Sequence, residues 1–277
     1  MASSHERNDR KRPGREGFSG RPQGRSPGQR PRAERDGAEW VWGWHPVTAA
    51  LQNPLRTGAK RLLATPERAK RLAEQFGALP ALQVTEPAAI AAHLPAGAAH
   101  QGLALKAAPP EPADLETLAD SAARFLVMLD QVTDPQNVGA IFRSAAAFGA
   151  GGVILQERHA PALSGALAKA SAGAIDLVPH ARATNLSRAL EFLADHGWRA
   201  VGLAGEAEAP LAAVLDERRT VLVLGSEGEG LRRLVSEHCD ALGRIPMPGG
   251  FESLNVSAAA AVAFYEVSGR GAPEAET

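Results

Sequence analysis

The chain has few of the residues that indicate disulfides, metal sites or membrane segments. Cys239 is the only cysteine among 277 residues, which excludes an internal disulfide and any zinc site built from several cysteines. Aromatic residues make up only 5%, so alanine, leucine and valine must supply most of the core. No apolar run approaches the roughly 20 residues that span a bilayer. We therefore expect a cytoplasmic globular protein with no metal and no membrane segment.

Basic charge is concentrated at the amino end. Residues 1–37 hold ten of the 30 Lys and Arg and five of the 31 Asp and Glu, which leaves 20 basic and 26 acidic residues elsewhere. This stretch is rich in Gly, Pro and Arg, so it cannot bury enough apolar surface to offset the entropy lost on ordering. We predict a disordered basic tail over residues 1–38. Such a tail either adds affinity for nucleic acid or only increases solubility, and its composition favours neither.

The rest of the chain alternates short apolar runs with amphipathic segments. The predicted organisation is a small α/β domain at 39–107, a linker at 108–118, a larger α/β domain at 119–270 and a disordered tail at 271–277. In the larger domain, Phe125 to Leu129 is a continuous apolar run, typical of a parallel strand buried on both faces. Strands that alternate with helices predict a parallel sheet covered by helices on both sides.

Caps and glycines set several predicted boundaries in the larger domain. We predict a helix from Asn137 to Phe148 with Asn137 as its N-cap, and a helix that Asn185 opens. Short strands are predicted at Leu177–Val178 and near Gly243–Ile245. The final helix is predicted to run from Val256 to Ser268.

Polar or glycine-rich segments follow three of the predicted strands. They are Asp130 to Gln136, Gly225 to Gly230, and the stretch after Ile245 that ends in Ser253–Asn255. Ligands bind beyond the carboxyl ends of parallel strands, so we expect these segments to meet. The glycine segment matches neither the dinucleotide fingerprint nor the Gly-Lys-Ser/Thr phosphate loop, which disfavours a nicotinamide-dependent oxidoreductase. Taken alone, each segment can also be a simple turn.

Arg143 and the polar residues before the last helix each have two interpretations. Arg143 lies among small and apolar residues, where a guanidinium needs an anion or other acceptor. That acceptor is either a ligand or the carboxylate of Glu227 in a structural ion pair. Ser253 and Asn255 either contribute to a site or cap the last helix, and for Asn255 the two roles are compatible.

Three segments of the larger domain carry a specific combination of residues. They are Leu129 to Ala145 (LDQVTDPQNVGAIFRSA), Leu222 to Leu231 (LVLGSEGEGL), and Ile245–Met247 followed by Ser253 to Ser257 (SLNVS). In this order they resemble the SpoU family of RNA ribose 2′-O-methyltransferases. The segment from Trp42 to Gly102 is similar to the L30e-like RNA-binding domain that precedes the catalytic domain in the ribosomal-RNA branch of this family.

The resemblance implies a trefoil-knotted α/β domain, a homodimer and S-adenosylmethionine held in the knot. General rules treat knots as nearly absent, so the pattern alone predicts an ordinary doubly wound sheet. The positions that match the family's cofactor-binding residues are Gly225, Ile245 and Leu254. Those that match its catalytic residues are Asn137, Arg143, Glu227, Ser253 and Asn255.

The implied activity is methylation of a ribose 2′-hydroxyl in RNA, and the accessory domain favours a guanosine of 23S ribosomal RNA. A transfer-RNA methyltransferase and a non-catalytic RNA-binding protein are the alternatives. A guanidinium is not deprotonated at ordinary pH. We therefore expect Arg143 to bind phosphate or the developing alkoxide, oriented by Glu227 and Asn137, and not to act as the base.

Overall fold

The computed structural model describes residues 38–56, 61–163, 165–249 and 253–269. The predicted tail at 271–277, and the one at 1–38 except for Ala38, lie outside these residues. The described residues fall within one compact unit that contains two β-sheets. No helix among them is long and apolar enough to cross a membrane.

The smaller sheet lies in the amino-terminal half and has the order β1-β4-β2-β3. Its strands are β1 (Glu39–Trp42), β2 (Arg61–Ala64), β3 (Leu82–Val84) and β4 (Leu103–Ala107). Strand β4 is antiparallel to β1 and β2, while β2 and β3 are parallel. The helices of this part are α1 (Trp44–Gln52), α2 (Pro66–Phe76) and α3 (Pro87–Ala91).

The larger sheet has six strands, all parallel, in the order β10-β8-β9-β5-β6-β7. They are β5 (Phe125–Leu129), β6 (Val153–Gln156), β7 (His180–Ala183), β8 (Arg199–Leu203), β9 (Thr220–Leu224) and β10 (Ala241–Gly243). The helices are α4 (Leu115–Ala119), α5 (Pro135–Ala147), α6 (Gly165–Ala170), α7 (Leu186–Asp195), α8 (Leu211–Val214), α9 (Arg233–Glu237) and α10 (Val256–Ser268). The predicted α/β class with a parallel sheet is confirmed.

Helices cover both faces of this sheet, as the apolar pattern of β5 predicts. Phe125 and Val127 belong to the core on one face, where α5 and α10 pack and the ring of Phe125 lies 5.3 Å from that of Phe264. Leu126 and Met128 belong to the core on the opposite face with side chains of α7. Every residue of β5 and of β9 is buried, because strands in the middle of a two-sided layer expose neither face.

Four local predictions differ from the structure. Leu177–Val178 do not form the predicted strand but follow a 3₁₀ turn at Ala174–Asp176, and β7 starts at His180. Helix α5 starts at Pro135, because the Asp134 carboxylate accepts from the backbone N–H groups of Gln136 and Asn137 at 3.2 and 3.3 Å. Strand β10 ends before Ile245, and α4 occupies part of the predicted linker.

A buried ion pair joins the segment after α1 to the large-sheet part of the chain. Arg56 Nε lies 2.7 Å from Asp176 Oδ1, and both side chains are only 1% exposed. A second guanidinium nitrogen donates to Asp176 Oδ2 at 3.1 Å, and the third donates to the carbonyl of Ala108 at 2.7 Å. Asn53 also donates to Asp176 Oδ1, at 3.1 Å. All charged atoms of this pair therefore have partners, as burial requires.

Candidate active site

The carboxyl ends of β8, β9 and β10 open onto a cavity of about 640 Å³. This volume falls within the range of pockets that hold small molecules, roughly 300–1,000 Å³. Its walls come from the residues after these three strands and from the segment that leads into α10. All three positions predicted to bind a cofactor, Gly225, Ile245 and Leu254, line it, as do Glu227 and Ser253.

The loop after β9 is held closed by its own backbone. Ser226 and Gly230 exchange two backbone hydrogen bonds, both 3.1 Å long, and Gly228 and Gly230 have φ angles of +93° and +67°, which favour glycine. A Cβ placed on Gly225 would lie 2.2 Å from the carbonyl carbon of Gly230. The loop can therefore keep this shape only with glycine at position 225.

Three of the predicted catalytic residues form one hydrogen-bonded cluster at the edge of the cavity. The Asn137 amide donates to Glu227 Oε1 at 3.0 Å, and the Asn255 amide donates to the same oxygen at 2.6 Å and to Asn137 Oδ1 at 2.9 Å. The residues come from α5, the loop after β9 and the start of α10. The cluster thus joins three segments that are far apart in sequence.

Asn255 has both of the roles considered for it. Its Oδ1 accepts from the backbone N–H of Ser257 at 3.0 Å and of Ala258 at 3.4 Å, so it caps α10. Because this cap uses the oxygen, the amide nitrogen is directed to Glu227 and Asn137. Ser253 is exposed at the cavity wall.

Arg143 lies apart from this cluster. Its side chain is exposed on α5 and does not line the cavity. Neither the ion pair with Glu227 nor a hydrogen bond to Asn137 is formed, because Glu227 accepts from the two asparagines instead. The expected orientation of Arg143 by these residues is therefore not seen within one chain. Ala147, one turn further along α5, is exposed beside it.

Other acidic side chains near the site were not singled out from the sequence. Asp130 is fully buried and accepts from the backbone N–H of Arg232 at 2.9 Å and from its Nε at 2.7 Å, which ties the loops after β5 and β9 together. The position of Asp130 directly after a buried strand is the sequence feature that could have identified it. Glu206 and Glu229 line the cavity. Among the described residues, no group of three potential metal ligands occurs.

Comparison with known proteins gives consistent matches over both parts of the chain. Residues 124–265 match the SpoU rRNA Methylase family, and residues 40–113 match the family described as RNA 2′-O ribose methyltransferase substrate binding. An uncharacterized tRNA/rRNA methyltransferase of Mycobacterium sp. (strain KMS) is 39% identical over 248 residues, which cover 87% of this chain and 79% of the relative.

Two solved structures share the fold at 25% sequence identity and a TM-score of 0.71. One is the AdoMet-bound rRNA methyltransferase from Sinorhizobium meliloti, where the match covers 83% of this chain and 87% of that chain. The other is the SpoU methyltransferase AviRb from Streptomyces viridochromogenes, with coverage of 86% and 93%. The likeness thus extends over both sheets.

Proposed function

The chain belongs to the SpoU rRNA Methylase family, and on that basis we propose that it methylates the ribose 2′-hydroxyl of a guanosine in 23S ribosomal RNA, in the cytoplasm. Membership makes it an S-adenosylmethionine-dependent RNA methyltransferase. The observation that carries the proposal is the cluster of Asn137, Glu227 and Asn255 beside a cavity of suitable size. Transfer RNA is the second candidate, because the relatives are named for both RNAs.

The residues of the cavity fit S-adenosylmethionine. When bound, this cofactor supplies a methyl group on a positively charged sulfonium. The glycine loop at Gly225 lets backbone approach a ligand closely, and the side chains of Ile245 and Leu254 offer apolar contacts on the opposite segments. Besides Glu227, the charged residues that line the cavity are Glu206, Glu229 and Arg244. The surplus of carboxylates favours a cationic ligand over an anionic one. We propose that Gly225, Ile245 and Leu254 hold the cofactor.

The polar cluster is proposed to position the ribose. Glu227 Oε1 is occupied by the two asparagine amides, which fixes the direction of the second carboxylate oxygen. We propose that this oxygen accepts a hydrogen bond from the ribose hydroxyl and that Ser253, on the same wall, contacts the RNA. Proximity and orientation of this kind account for a large share of many catalytic rates.

Replacing Glu227 with glutamine tests the positioning role. In one orientation the glutamine NH2 group faces the two asparagine amides, which are donors themselves. In the other orientation its carbonyl faces them, and the NH2 group, which cannot accept a hydrogen bond, faces the ribose hydroxyl. In both cases the ribose is held less well. We expect kcat for methyl transfer to fall by about 100-fold, the usual cost of a misplaced reactant, while the Kd for S-adenosylmethionine stays unchanged. Single-turnover kinetics with calorimetry measure both. Glu237→Gln, at an exposed position on α9 outside the cavity, is the matched control, with kcat near wild type. An unchanged kcat for Glu227→Gln would contradict the role.

A homodimer is proposed from the outer face of α5 and α10. Tyr265 is 70% exposed and Val262 is 45% exposed, and Tyr265 contacts Phe148 edge-to-face at 6.2 Å. Arg143 and Ala147 are exposed on α5, the helix against which α10 packs. Burial of this apolar face by a second copy would bring Arg143 to the partner. We propose that Arg143 binds RNA phosphate or the developing alkoxide at the cavity of the partner subunit.

Mixing two inactive variants distinguishes a shared site from a separate one. If Arg143 serves the partner, a heterodimer of Arg143→Ala with Glu227→Gln contains one complete site. An equimolar, re-equilibrated mixture is then expected to recover roughly one quarter of wild-type activity, because half of the dimers are mixed and each has one working site of two. Methyl incorporation measures this, with each variant alone as the control. If the activity of the mixture were no greater than the mean of the activities of the two variants alone, Arg143 would act within its own subunit.

The knot and the L30e-like domain are also part of the proposal. Strand β10 is at the edge of the sheet, whereas α10 packs against α5 and places Phe264 beside Phe125 at the sheet centre. The described residues that follow β10 and those that lead into α10 line the same cavity as the loop after β9. Their closeness to that loop supports a knotted path. The small mixed sheet with its three helices supports an L30e-like domain.

Mapping of 2′-O-methyl groups tests the substrate. In RNA from a deletion strain, we expect one guanosine of 23S ribosomal RNA to lose its methyl group and to regain it when the gene is restored. The Arg143→Ala gene is the matched control and is not expected to restore it. Loss confined to transfer RNA would favour the second candidate. Unchanged RNA, together with no binding of S-adenosylmethionine by calorimetry, would contradict the enzyme.

A further inference from the structure

Trp44, the first residue of α1, lies under two arginines of α2. The guanidinium carbon of Arg71 is 4.1 Å from the centre of the Trp44 ring, and that of Arg68 is 5.5 Å from it. The tryptophan is half-buried and Arg71 is exposed. Residues three apart lie on the same side of a helix, so both arginines extend from one face of α2. An aromatic ring and two planar cations are therefore stacked at the surface of the small-sheet part.

A third cation reaches this place from the other part of the chain. Lys169, in α6, has its Nζ 2.7 Å from the position that a Cβ on Gly43 would take, directly before Trp44. Among the described residues, none of these three cations forms an ion pair with a carboxylate. Two positive charges thus lie over the Trp44 ring and a third lies beside the backbone that precedes it. Together they create a field that attracts an anionic partner.

Gln101 holds this arrangement in place. Its side-chain oxygen accepts from the backbone N–H of Trp44 at 2.9 Å, and its carbonyl accepts from Arg68 Nε at 3.0 Å. Gln101 adopts a φ of 55°, a left-handed conformation that is uncommon for residues other than glycine. Such conformations persist where the surrounding contacts enforce them, and they are found most often at binding sites. The ring and its cations are accordingly positioned before any partner arrives.

We propose that Trp44, Arg68, Arg71 and Lys169, which we call the Trp44 platform, bind an unpaired nucleotide of the substrate RNA a few nucleotides away from the one that is methylated. This inference rests on the proposed function and deepens it. Unpaired bases stack on aromatic rings and on guanidinium planes, and the surplus positive charge matches the phosphates on either side. An acidic protein would match the charge but has no use for the stacked ring.

The platform lies one helix away from the candidate active site. Lys169 is in α6, and α6 packs tightly on α5, where a Cβ on Gly139 would lie 2.6 Å from the Cβ of Ala170 and 2.8 Å from the carbonyl oxygen of Leu167. Helix α5 carries Asn137. Since packed helices have axes about 8–10 Å apart, a single RNA strand needs only a few nucleotides to reach from the platform to the polar cluster.

Binding of a short fluorescein-labelled single-stranded RNA, measured by anisotropy, tests the platform. Trp44→Ala is expected to weaken binding about tenfold, the effect of losing one stacked base, whereas Trp44→Phe keeps a ring and stays near wild type. Arg71→Gln is expected to weaken binding several-fold. It is also expected to reduce the slope of log affinity against log salt concentration by about 1, the value for one lost phosphate contact. Arg218→Gln, an exposed arginine before the amino end of β9 and 64% exposed, is the matched control with unchanged affinity.

Two outcomes would overturn the platform. One is Trp44→Ala and Arg71→Gln both binding RNA within twofold of wild type. The other is equal competition by a duplex of the same sequence, in which no base is free to stack. Circular dichroism and thermal melting show whether Trp44→Ala has folded, and Arg71→Gln, at an exposed position, carries the test if it has not.

The same variants separate failure of the platform from failure of the proposed function. If the wild-type protein methylates RNA and the platform variants keep its KM for RNA, the platform is wrong and the function stands. If the wild-type protein neither binds S-adenosylmethionine nor methylates RNA, but its RNA binding still depends on Trp44, the function is wrong and the platform stands. If the platform variants have a higher KM for RNA and an unchanged Kd for S-adenosylmethionine, the result supports both the platform and the proposed function.

Discussion

Gly225→Ala is expected to reduce the affinity for S-adenosylmethionine by roughly 100-fold or more. The added Cβ would lie 2.2 Å from the carbonyl carbon and 2.3 Å from the oxygen of Gly230. Because both are backbone atoms, no side-chain rotation relieves the contact. The two backbone hydrogen bonds between Ser226 and Gly230 must break, and the loop that lines the cavity must move. Calorimetric titration with S-adenosylmethionine measures the loss.

Gly249→Ala provides the matched control for this substitution. A Cβ on Gly249 meets no atom within 4 Å, and the residue is not among those with a positive φ. We expect cofactor affinity and melting temperature to stay at the wild-type values. If Gly225→Ala bound the cofactor as well as Gly249→Ala does, the loop would be flexible enough to accept a side chain, and the proposed role of Gly225 would be wrong.

Asp176→Ala is expected to lower the free energy of unfolding by about 3–5 kcal/mol, the cost of leaving one member of a buried ion pair without its partner. Arg56 would remain almost fully buried with two of its nitrogens unpaired, and the Asn53 amide would also lose its acceptor. A loss of this size is a large fraction of the 5–15 kcal/mol that stabilises a typical domain. Urea denaturation followed by circular dichroism measures it.

The exposed pair of Arg233 and Glu237 serves as the control for charge removal. Its nitrogen and oxygen are 2.6 Å apart, about as close as in the buried pair, but the side chains are 77% and 51% exposed. Exposed pairs at this helical spacing contribute only about 0.3–0.5 kcal/mol. Glu237→Ala is therefore expected to be nearly neutral. Equal losses for the two variants would mean that burial of Asp176 does not determine the cost.

The elements predicted correctly from the sequence are those whose apolar pattern or capping residue matches their burial and boundaries in the fold. Strand β5 is apolar at every position because both faces are covered, and α10 starts at Val256 because Asn255 caps it. Helix α7 likewise starts after its cap, Asn185. The meeting of the glycine loop with Ser253–Asn255 followed from the rule that ligands bind at the carboxyl edge of a parallel sheet.

Other features depend on contacts that the sequence does not display. Asp134 and Asn137 are both good N-caps, and only the fold shows that the carboxylate of Asp134 takes that position. The apolar pair Leu177–Val178 fits a strand locally, but a 3₁₀ turn precedes it where Asp176 reaches Arg56, 120 positions away in sequence. In the proposed dimer Arg143 acts at the cavity of a second subunit, which no pattern within one chain describes.

The hydrogen bonds of Asn255 have a consequence for biosynthesis. The same side chain starts the last helix and supplies two of the three hydrogen bonds that join the polar cluster. Synthesis proceeds from the amino end, and domains fold as they emerge. A nascent chain can thus form the small sheet, which lies in the part that matches the substrate-binding family, and most of the large sheet while it has no functioning centre. Competence to modify RNA arises only after the final helix has been made and has docked, so truncated products are expected to bind without reacting.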